Sequence, residues 1–132
     1  MKTKDLRLNQ LSENAYDKYL AYLKAMDNKD VDTYGKFLAE DVEVWFNNNL
    51  FGKGKQEILK GLGEYWQSFA AIEHDLTNIY GTDKNYVLEA LNHYQRHDGK
   101  EVTVKAVAFT DLNESGEVNS VRLYMDMSPV FY

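Results

Sequence analysis

Four strand-like segments follow one another in the second half of the chain, and this run constrains the fold more than any other feature. They span Glu73 to Tyr80, Tyr86 to Arg96, Glu101 to Leu112 and Ser120 to Met127. Short turns separate them, as at residues 97–100, where the sequence is His-Asp-Gly-Lys. Strands joined by short turns pair antiparallel. The second half of the chain therefore predicts an antiparallel sheet.

Helical patterns dominate the first half. Apolar residues at helical spacing predict helices over 12–27, 31–38 and 55–72. A strand is predicted over 42–47, and the residues up to Gly54 are predicted to form a loop. Helices that cover one side of an antiparallel sheet make an α+β domain.

Composition narrows the classes of protein. The 132 residues, 44% of them hydrophobic, suit one domain over residues 1–132. A net charge of −6 argues against a nucleic-acid or membrane partner. The N-terminal residues lack the apolar segment of a signal peptide, and no run reaches the length of a membrane span. Cysteine is absent, which excludes disulfides and fits our expectation of a cytoplasmic protein.

Neither a metal site nor a cofactor is expected. His74-Asp75 and His97-Asp98 do not form a recognisable set of metal ligands. The segment 52–55, Gly-Lys-Gly-Lys, lacks the spacing and the preceding strand of a phosphate loop.

The last strand alternates strictly between two kinds of side chain. One face carries Ser120, Arg122, Tyr124 and Asp126, and the other carries Val121, Leu123, Met125 and Met127. The Arg-x-Tyr-x-Asp row suggests chemistry if its face meets a cavity, so the orientation of this strand matters for function.

Several phrases, in order and at similar spacing, resemble those of a known superfamily. They are Asp27 to Val31, Phe37 to Val44, Gly54 to Ile58, Asp98 to Lys100, Gly116 to Val118 and Arg122 to Asp126. The chain is similar to the nuclear-transport-factor-2-like superfamily, and within it to the SnoaL-like group, over about residues 12 to 130. The resemblance implies a cone: three N-terminal helices pack on a strongly curved, mostly antiparallel sheet and enclose an apolar pocket. It does not select a function, since the superfamily contains isomerases, cyclases, epoxide hydrolases, dehydratases and binding domains.

A match to ketosteroid isomerases and limonene-epoxide hydrolases implies which residues face the pocket. The match implies that alternate residues of three strands face the pocket. They are Glu89, Leu91 and His93 on one strand, Val104, Ala106 and Ala108 on the next, and Val121, Leu123 and Met125 on the last. The expected ligand-binding residues are Val44, Phe46, Trp66, Phe69, Glu89, Leu91, Ala108, Val121, Leu123 and Met125. The expected ligand is small and hydrophobic.

The same alternation moves the Arg-x-Tyr-x-Asp row to the outer face. Tyr86 and Leu88 are expected there too. A large aromatic patch in water indicates a partner surface, and we expect a homodimer. The expected interface residues are Tyr94, Val107, Phe109, Arg122, Tyr124 and Asp126.

Two residues are candidates for catalysis. His93 is the candidate for proton transfer, because imidazole gains and loses protons near neutral pH. Tyr22 matches the oxyanion-binding tyrosine of ketosteroid isomerases by its spacing from Asp27. A structural histidine, satisfied by Tyr22 or a backbone carbonyl, is the alternative for His93.

The remaining catalytic positions of both enzyme groups are mostly replaced. The isomerase base and second donor fall on Phe46 and Ala108, and the hydrolase Asp-Arg-Asp set falls on His93, Leu91 and Leu123. Neither of those two activities is therefore expected. Three alternatives stay open: a cofactor-independent isomerase, cyclase or hydro-lyase, a ligand-binding module without turnover, or an interaction domain.

Overall fold

The helices lie mainly in the first half of the chain. The computed structural model describes residues 1–4, 7–8 and 11–132. Within them the helices are α1 (Glu13–Asp27), α2 (Val31–Gly35), α3 (Lys55–Tyr65) and α4 (Ser128–Phe131), and a 3-10 turn (Trp66–Ser68) extends α3. Ser12 begins α1 because its hydroxyl accepts the backbone N–H of Ala15. None of these helices is long and apolar enough to cross a lipid bilayer.

The strands form one curved sheet. They are β1 (Arg7–Leu8), β2 (Leu38–Phe46), β3 (Asn49–Lys53), β4 (Ala71–Gly81), β5 (Asn85–Gln95), β6 (Glu101–Leu112) and β7 (Val118–Met125). Their order across the sheet is β1-β4-β5-β6-β7-β2-β3, and the pairings β1–β4 and β2–β7 are parallel. The predicted α+β architecture, with N-terminal helices on a curved and mostly antiparallel sheet, is confirmed.

Several local predictions were wrong; the last strand, for example, spans Val118–Met125 rather than Ser120 to Met127. The predicted loop before Gly54 contains β3, because Asn47 takes a φ of 52° and closes a tight turn after β2. The second helix ends at Gly35 rather than at residue 38, since Leu38 already begins β2. The third helix ends at Tyr65, because the chain then passes through the 3-10 turn into β4.

The core lies between the helices and the concave face of the sheet. Leu38, Val42, Ile58, Phe69 and Leu76 are completely buried there. Each such side chain contributes about 1.5–3 kcal/mol by leaving water. The curvature of the sheet keeps its centre away from the helices, and the space between them is not completely filled.

Candidate functional site

An apolar cavity lies between α1, α3 and the concave face of the sheet. The volume of the cavity is about 70 Å³. Aromatic rings from the helices and small residues of β5 and β6, such as Ala90 and Ala106, line it. The small residues leave room beside the sheet, and the aromatic rings make the walls rigid and apolar. No Lys, Arg, Asp or Glu side chain of the described residues lines this cavity.

His74 lines the cavity and forms a buried pair with Asp27, which itself does not line the wall. The Nδ1–H of His74 donates a hydrogen bond to Oδ1 of Asp27, and the backbone N–H of His74 donates to the same oxygen at 3.1 Å. The amino group of Met1 lies 3.3 Å from Oδ2 of Asp27. The side chains of His74 and Asp27 are only 6% and 9% exposed. The carboxylate therefore fixes the ring and its tautomer, and leaves Nε2 of His74 without a hydrogen bond to any described residue.

The local fold explains how the two residues meet. Asp27 is the last residue of α1, and His74 lies in β4 on the same face as buried Ile72 and Leu76. A carboxylate at the C-terminal end of a helix is electrostatically unfavourable. The hydrogen bond to the imidazole of His74 compensates for the unfavourable position of the Asp27 carboxylate.

Two tyrosines share a hydrogen bond inside the same cavity. The hydroxyls of Tyr22 and Tyr34 lie 2.7 Å apart, and both side chains line the cavity. Burial raises the pKa of Tyr22 well above its ordinary value, and raises the pKa of Tyr34 to about 12. Both hydroxyls are therefore protonated near neutral pH. One proton joins the two oxygens, and the other is available to a ligand oxygen.

Two further polar groups of the cavity wall lack hydrogen-bond partners among the described residues. They are the carbonyl oxygen Oδ1 of Asn92 and the hydroxyl of Tyr65. The Nδ2 of Asn92 faces the sulfur of Met125 at 3.8 Å, and Tyr94 lies beside both. Burial raises the pKa of Tyr94 to about 12, although a hydrogen bond from Asn92 acts in the opposite direction. A buried polar atom without a partner costs about 1–3 kcal/mol, so these two atoms are candidates for ligand contacts.

The family model of the SnoaL-like domain matches residues 19–121, well over half of the chain. The chain belongs to the SnoaL-like domain family. This confirms the resemblance found in the sequence. No curated protein matches the chain significantly.

Solved structures similar to this SnoaL-like domain share its fold. A candidate SnoaL-like polyketide cyclase from Shewanella denitrificans has a TM-score of 0.78 at 14% identity, covering 90% of this chain and 97% of its own. An LEH-like epoxide hydrolase from M. tuberculosis has a TM-score of 0.72 at 19% identity, covering 89% of this chain and 86% of its own. A protein of ketosteroid isomerase-like fold from Catenulispora acidiphila, solved with trimethylamine, has a TM-score of 0.74 at 15% identity, covering 85% and 87%. At these identities the likeness shows the fold.

Most of the predicted ligand-binding residues of this SnoaL-like domain do line the cavity. They are Val44, Phe46, Trp66, Phe69, Ala108, Val121, Leu123 and Met125, and Tyr22 joins them. The apolar side of the last strand therefore faces inward. Whether these residues bind a ligand stays a prediction.

The predicted orientation of β5 was wrong. Leu88, Ala90, Asn92 and Tyr94 face the cavity, whereas Glu89, Leu91 and His93 do not line it. The register of the hairpin between β5 and β6 decides this orientation. Gln95 pairs with Glu101, so even-numbered residues of β5 lie opposite even-numbered residues of β6, as Leu88 does opposite Ala108. The face of β6 that carries Ala108 was predicted correctly, and it requires the even-numbered residues of β5 beside it.

His93 instead forms a second aspartate–histidine pair on the outer face. Its Nε2 lies 2.9 Å from Oδ2 of Asp75, and its Nδ1 lies 2.9 Å from the hydroxyl of Thr103. The side chains of His93 and Asp75 are 32% and 22% exposed. Glu89 accepts a hydrogen bond from Asn78. These contacts remove His93 and Glu89 from the cavity as predicted site residues.

The predicted dimer-interface residues divide between the two faces. Tyr94 is buried in the cavity wall, and the expectation that it lies outside with Tyr86 and Leu88 was wrong. Phe109 and Tyr124 remain exposed on the outer face. In the outer row, Arg122 donates to Asp111 at 2.6 Å and lies over the ring of Phe109, and Asp126 accepts from Ser128. Val107 pairs with Tyr124 across β6 and β7.

The sequence contained a signal for one of the two residues that were missed. His74 has the parity of the apolar residues Ile72 and Leu76, which marks it as inward-facing. Asp27 gives no such signal, because its role depends on the end of α1 lying against β4. Among the described residues, no group of three or more histidine and acidic side chains is placed to hold a metal ion.

Proposed function

We propose that this SnoaL-like domain is an acid–base enzyme that moves a proton on a small, mostly apolar carbonyl compound. The observation that carries the proposal is the buried Asp27–His74 pair, whose histidine lines an otherwise apolar cavity. A positioned base in a dry site contributes about 10²- to 10⁴-fold to a proton-transfer rate. The chemistry needs no cofactor.

His74 is the base in this proposal. Its Nε2 takes a proton from a carbon next to the substrate carbonyl, and the C–H electron pair becomes the double bond of an enolate. The carbonyl electron pair moves onto oxygen, where a tyrosine O–H of the Tyr22–Tyr34 pair stabilises the charge. Asp27 stabilises the imidazolium that forms.

The fate of the proton defines the reaction class. Its return from Nε2 to another carbon isomerises the substrate, and its delivery to a hydroxyl leaving from the next carbon releases water. Similar structures include a candidate polyketide cyclase and an LEH-like epoxide hydrolase, and both names are those of enzymes. This likeness supports catalysis over binding without turnover.

Hydrogen exchange tests the proposal without a known substrate. Cyclohexanone, a small apolar ketone, is incubated with the protein in heavy water, and loss of its α-proton signals is followed by NMR. We expect exchange well above the rate in buffer and in unfolded protein. Exchange at the buffer rate for cyclohexanone and similar ring ketones contradicts the proposal.

Asp27→Asn tests the positioning role of the carboxylate. We expect the exchange rate to fall by roughly 10²-fold or more, because the amide neither fixes the ring nor stabilises the imidazolium. The ¹⁵N spectrum of His74 provides a readout that a merely structural role does not change: the protonated nitrogen is Nδ1 in the wild type, and both tautomers are populated in the variant. An unchanged tautomer together with an unchanged rate contradicts the assignment.

We also propose that the domain pairs with a second copy through the outer face of the sheet. Phe109 and Tyr124 are 39% and 48% exposed there, and their rings stack edge to face. Exposed neighbouring rings of this kind favour a partner surface.

Tyr124→Glu tests the dimer. We expect sedimentation to give a dimer for the wild type at micromolar concentration and a monomer for the variant, because the carboxylate cannot be buried without a partner. Tyr132→Glu is the control, since Tyr132 is 94% exposed and follows α4 rather than lying on a strand. A monomeric wild type contradicts the proposal.

A further inference from the structure

The volume and the lining residues of the cavity limit the size and polarity of its ligand. Its volume of about 70 Å³ is roughly five times the smallest cavity volume that holds one water molecule. This volume is about half of the roughly 150 Å³ of an engineered apolar cavity that binds benzene, so a single six-membered ring is the upper limit of what the cavity admits. A charged ligand is disfavoured, because within the described residues no acidic or basic side chain other than His74 lines the wall.

Asn92 supplies the specific feature. It is 4% exposed, and its Oδ1 has no hydrogen-bond partner among the described residues. Its Nδ2 is directed to the Met125 sulfur at 3.8 Å, a weak acceptor. The terminal torsion of asparagine is soft, so rotation of the amide can bring Oδ1 to a molecule that fills the cavity. Oδ1 can only accept, and its partner must therefore be a donor on the ligand.

The position of Asn92 relates this donor to the base. Asn92 on β5 is the cross-strand partner of His74 on β4. Side chains at directly opposed positions have Cβ atoms about 4.5–5.5 Å apart. A ligand hydroxyl bound by Asn92 thus lies beside the group that takes the proton.

We propose that the ligand is a small neutral compound, no larger than a single ring, that bears a hydroxyl group, and that Oδ1 of Asn92 selects it by accepting a hydrogen bond from that hydroxyl. The proposal rests on the proposed function for the role of His74, but the selection itself is a property of binding. The unpartnered Tyr65 hydroxyl on α3 offers a second contact, as donor or acceptor, to another oxygen of such a ligand.

Phenol and toluene are the test pair, since they have the same shape and differ in one hydroxyl. Titration calorimetry gives their affinities for the wild type, Asn92→Leu and Asn119→Leu. Asn119 is the matched control: its Oδ1 is also buried without a partner among the described residues, but it does not line the cavity. The folding of each variant is checked by thermal unfolding.

We expect the wild type to bind phenol at least as tightly as toluene. In Asn92→Leu the ratio of phenol to toluene affinity falls by at least about tenfold, because the hydroxyl then enters the cavity without a partner. Asn119→Leu leaves the ratio unchanged. A wild type that strongly prefers toluene, an unchanged ratio in Asn92→Leu, or no binding of either probe at about 10 mM overturns the inference. The first of these needs no variant to fold.

The two proposals fail separately. Cyclohexanone exchange without selection of phenol overturns the role of Asn92 and leaves proton transfer by His74 standing. Selection of phenol without exchange overturns proton transfer and leaves the hydroxyl site standing.

Discussion

Replacing His74 by glutamine lowers the rate of cyclohexanone proton exchange by about 10²- to 10⁴-fold, the contribution expected of a positioned general base. Glutamine is uncharged and similar in length, but it has no nitrogen that takes up a proton near neutral pH. The substitution removes the base at Nε2 and the ring Nδ1–H that donates to Asp27, while the backbone N–H of residue 74 still donates to the same carboxylate. NMR of the ketone measures the rate, and thermal unfolding verifies that the variant is folded.

The chain provides its own control for this experiment. His93 is also paired with an aspartate, at 2.9 Å from Asp75, but it lies on the outer face and does not line the cavity. We expect His93→Gln to exchange cyclohexanone protons at the wild-type rate. Equal losses in the two variants contradict the assignment of His74, because they indicate a loss of folding rather than of a base.

Replacing Phe69 by alanine lowers the free energy of unfolding by about 3–5 kcal/mol, the range measured for buried phenylalanines. Phe69 is completely buried, and its ring packs edge to face on Tyr94 at 4.9 Å and on Tyr65 at 5.8 Å. The ammonium of Lys29 lies 5.0 Å from the ring centroid. Since domains of this size unfold at about 5–15 kcal/mol, the variant is near the limit of stability. Urea unfolding followed by circular dichroism measures the change.

Phe131→Ala is the control for Phe69. The ring of Phe131 is 42% exposed in α4 and packs edge to face on Tyr65 at 6.2 Å. We expect a loss of about 1 kcal/mol or less at fixed protein concentration. Equal losses at the two positions contradict the placement of Phe69 in the core.

The fold could be predicted from the sequence because its signals are local. The β6 strand was predicted with its observed bounds, Glu101–Leu112, from alternation and from the turns beside it. β3 was missed because it is five residues long and lies beside a run of asparagines, one of which closes the turn with a positive φ. Short strands acquire their structure from the neighbour with which they pair.

The candidate site was predicted only in part. The apolar wall of β7, which includes Leu123 and Met125, was assigned to the correct face because strict alternation leaves two choices and the resemblance selected one. The same resemblance misassigned β5, although its own alternation of Tyr86, Leu88 and Ala90 pointed inward. Parity within a strand is local, but the relation between two strands depends on the number of residues in the turn that joins them.

The sequence alone therefore determined the order of α1 to α3 and of the long strands, the family, and the apolar character of the inner face. Tertiary structure decided which histidine meets the cavity. Asp27 and His74 are far apart in sequence and become partners only because the end of α1 packs against β4. His93 and Asp75 form a similar pair on the opposite face. Both pairs consist of an aspartate and a histidine, but they differ in burial. The curvature and the register of the sheet cause this difference.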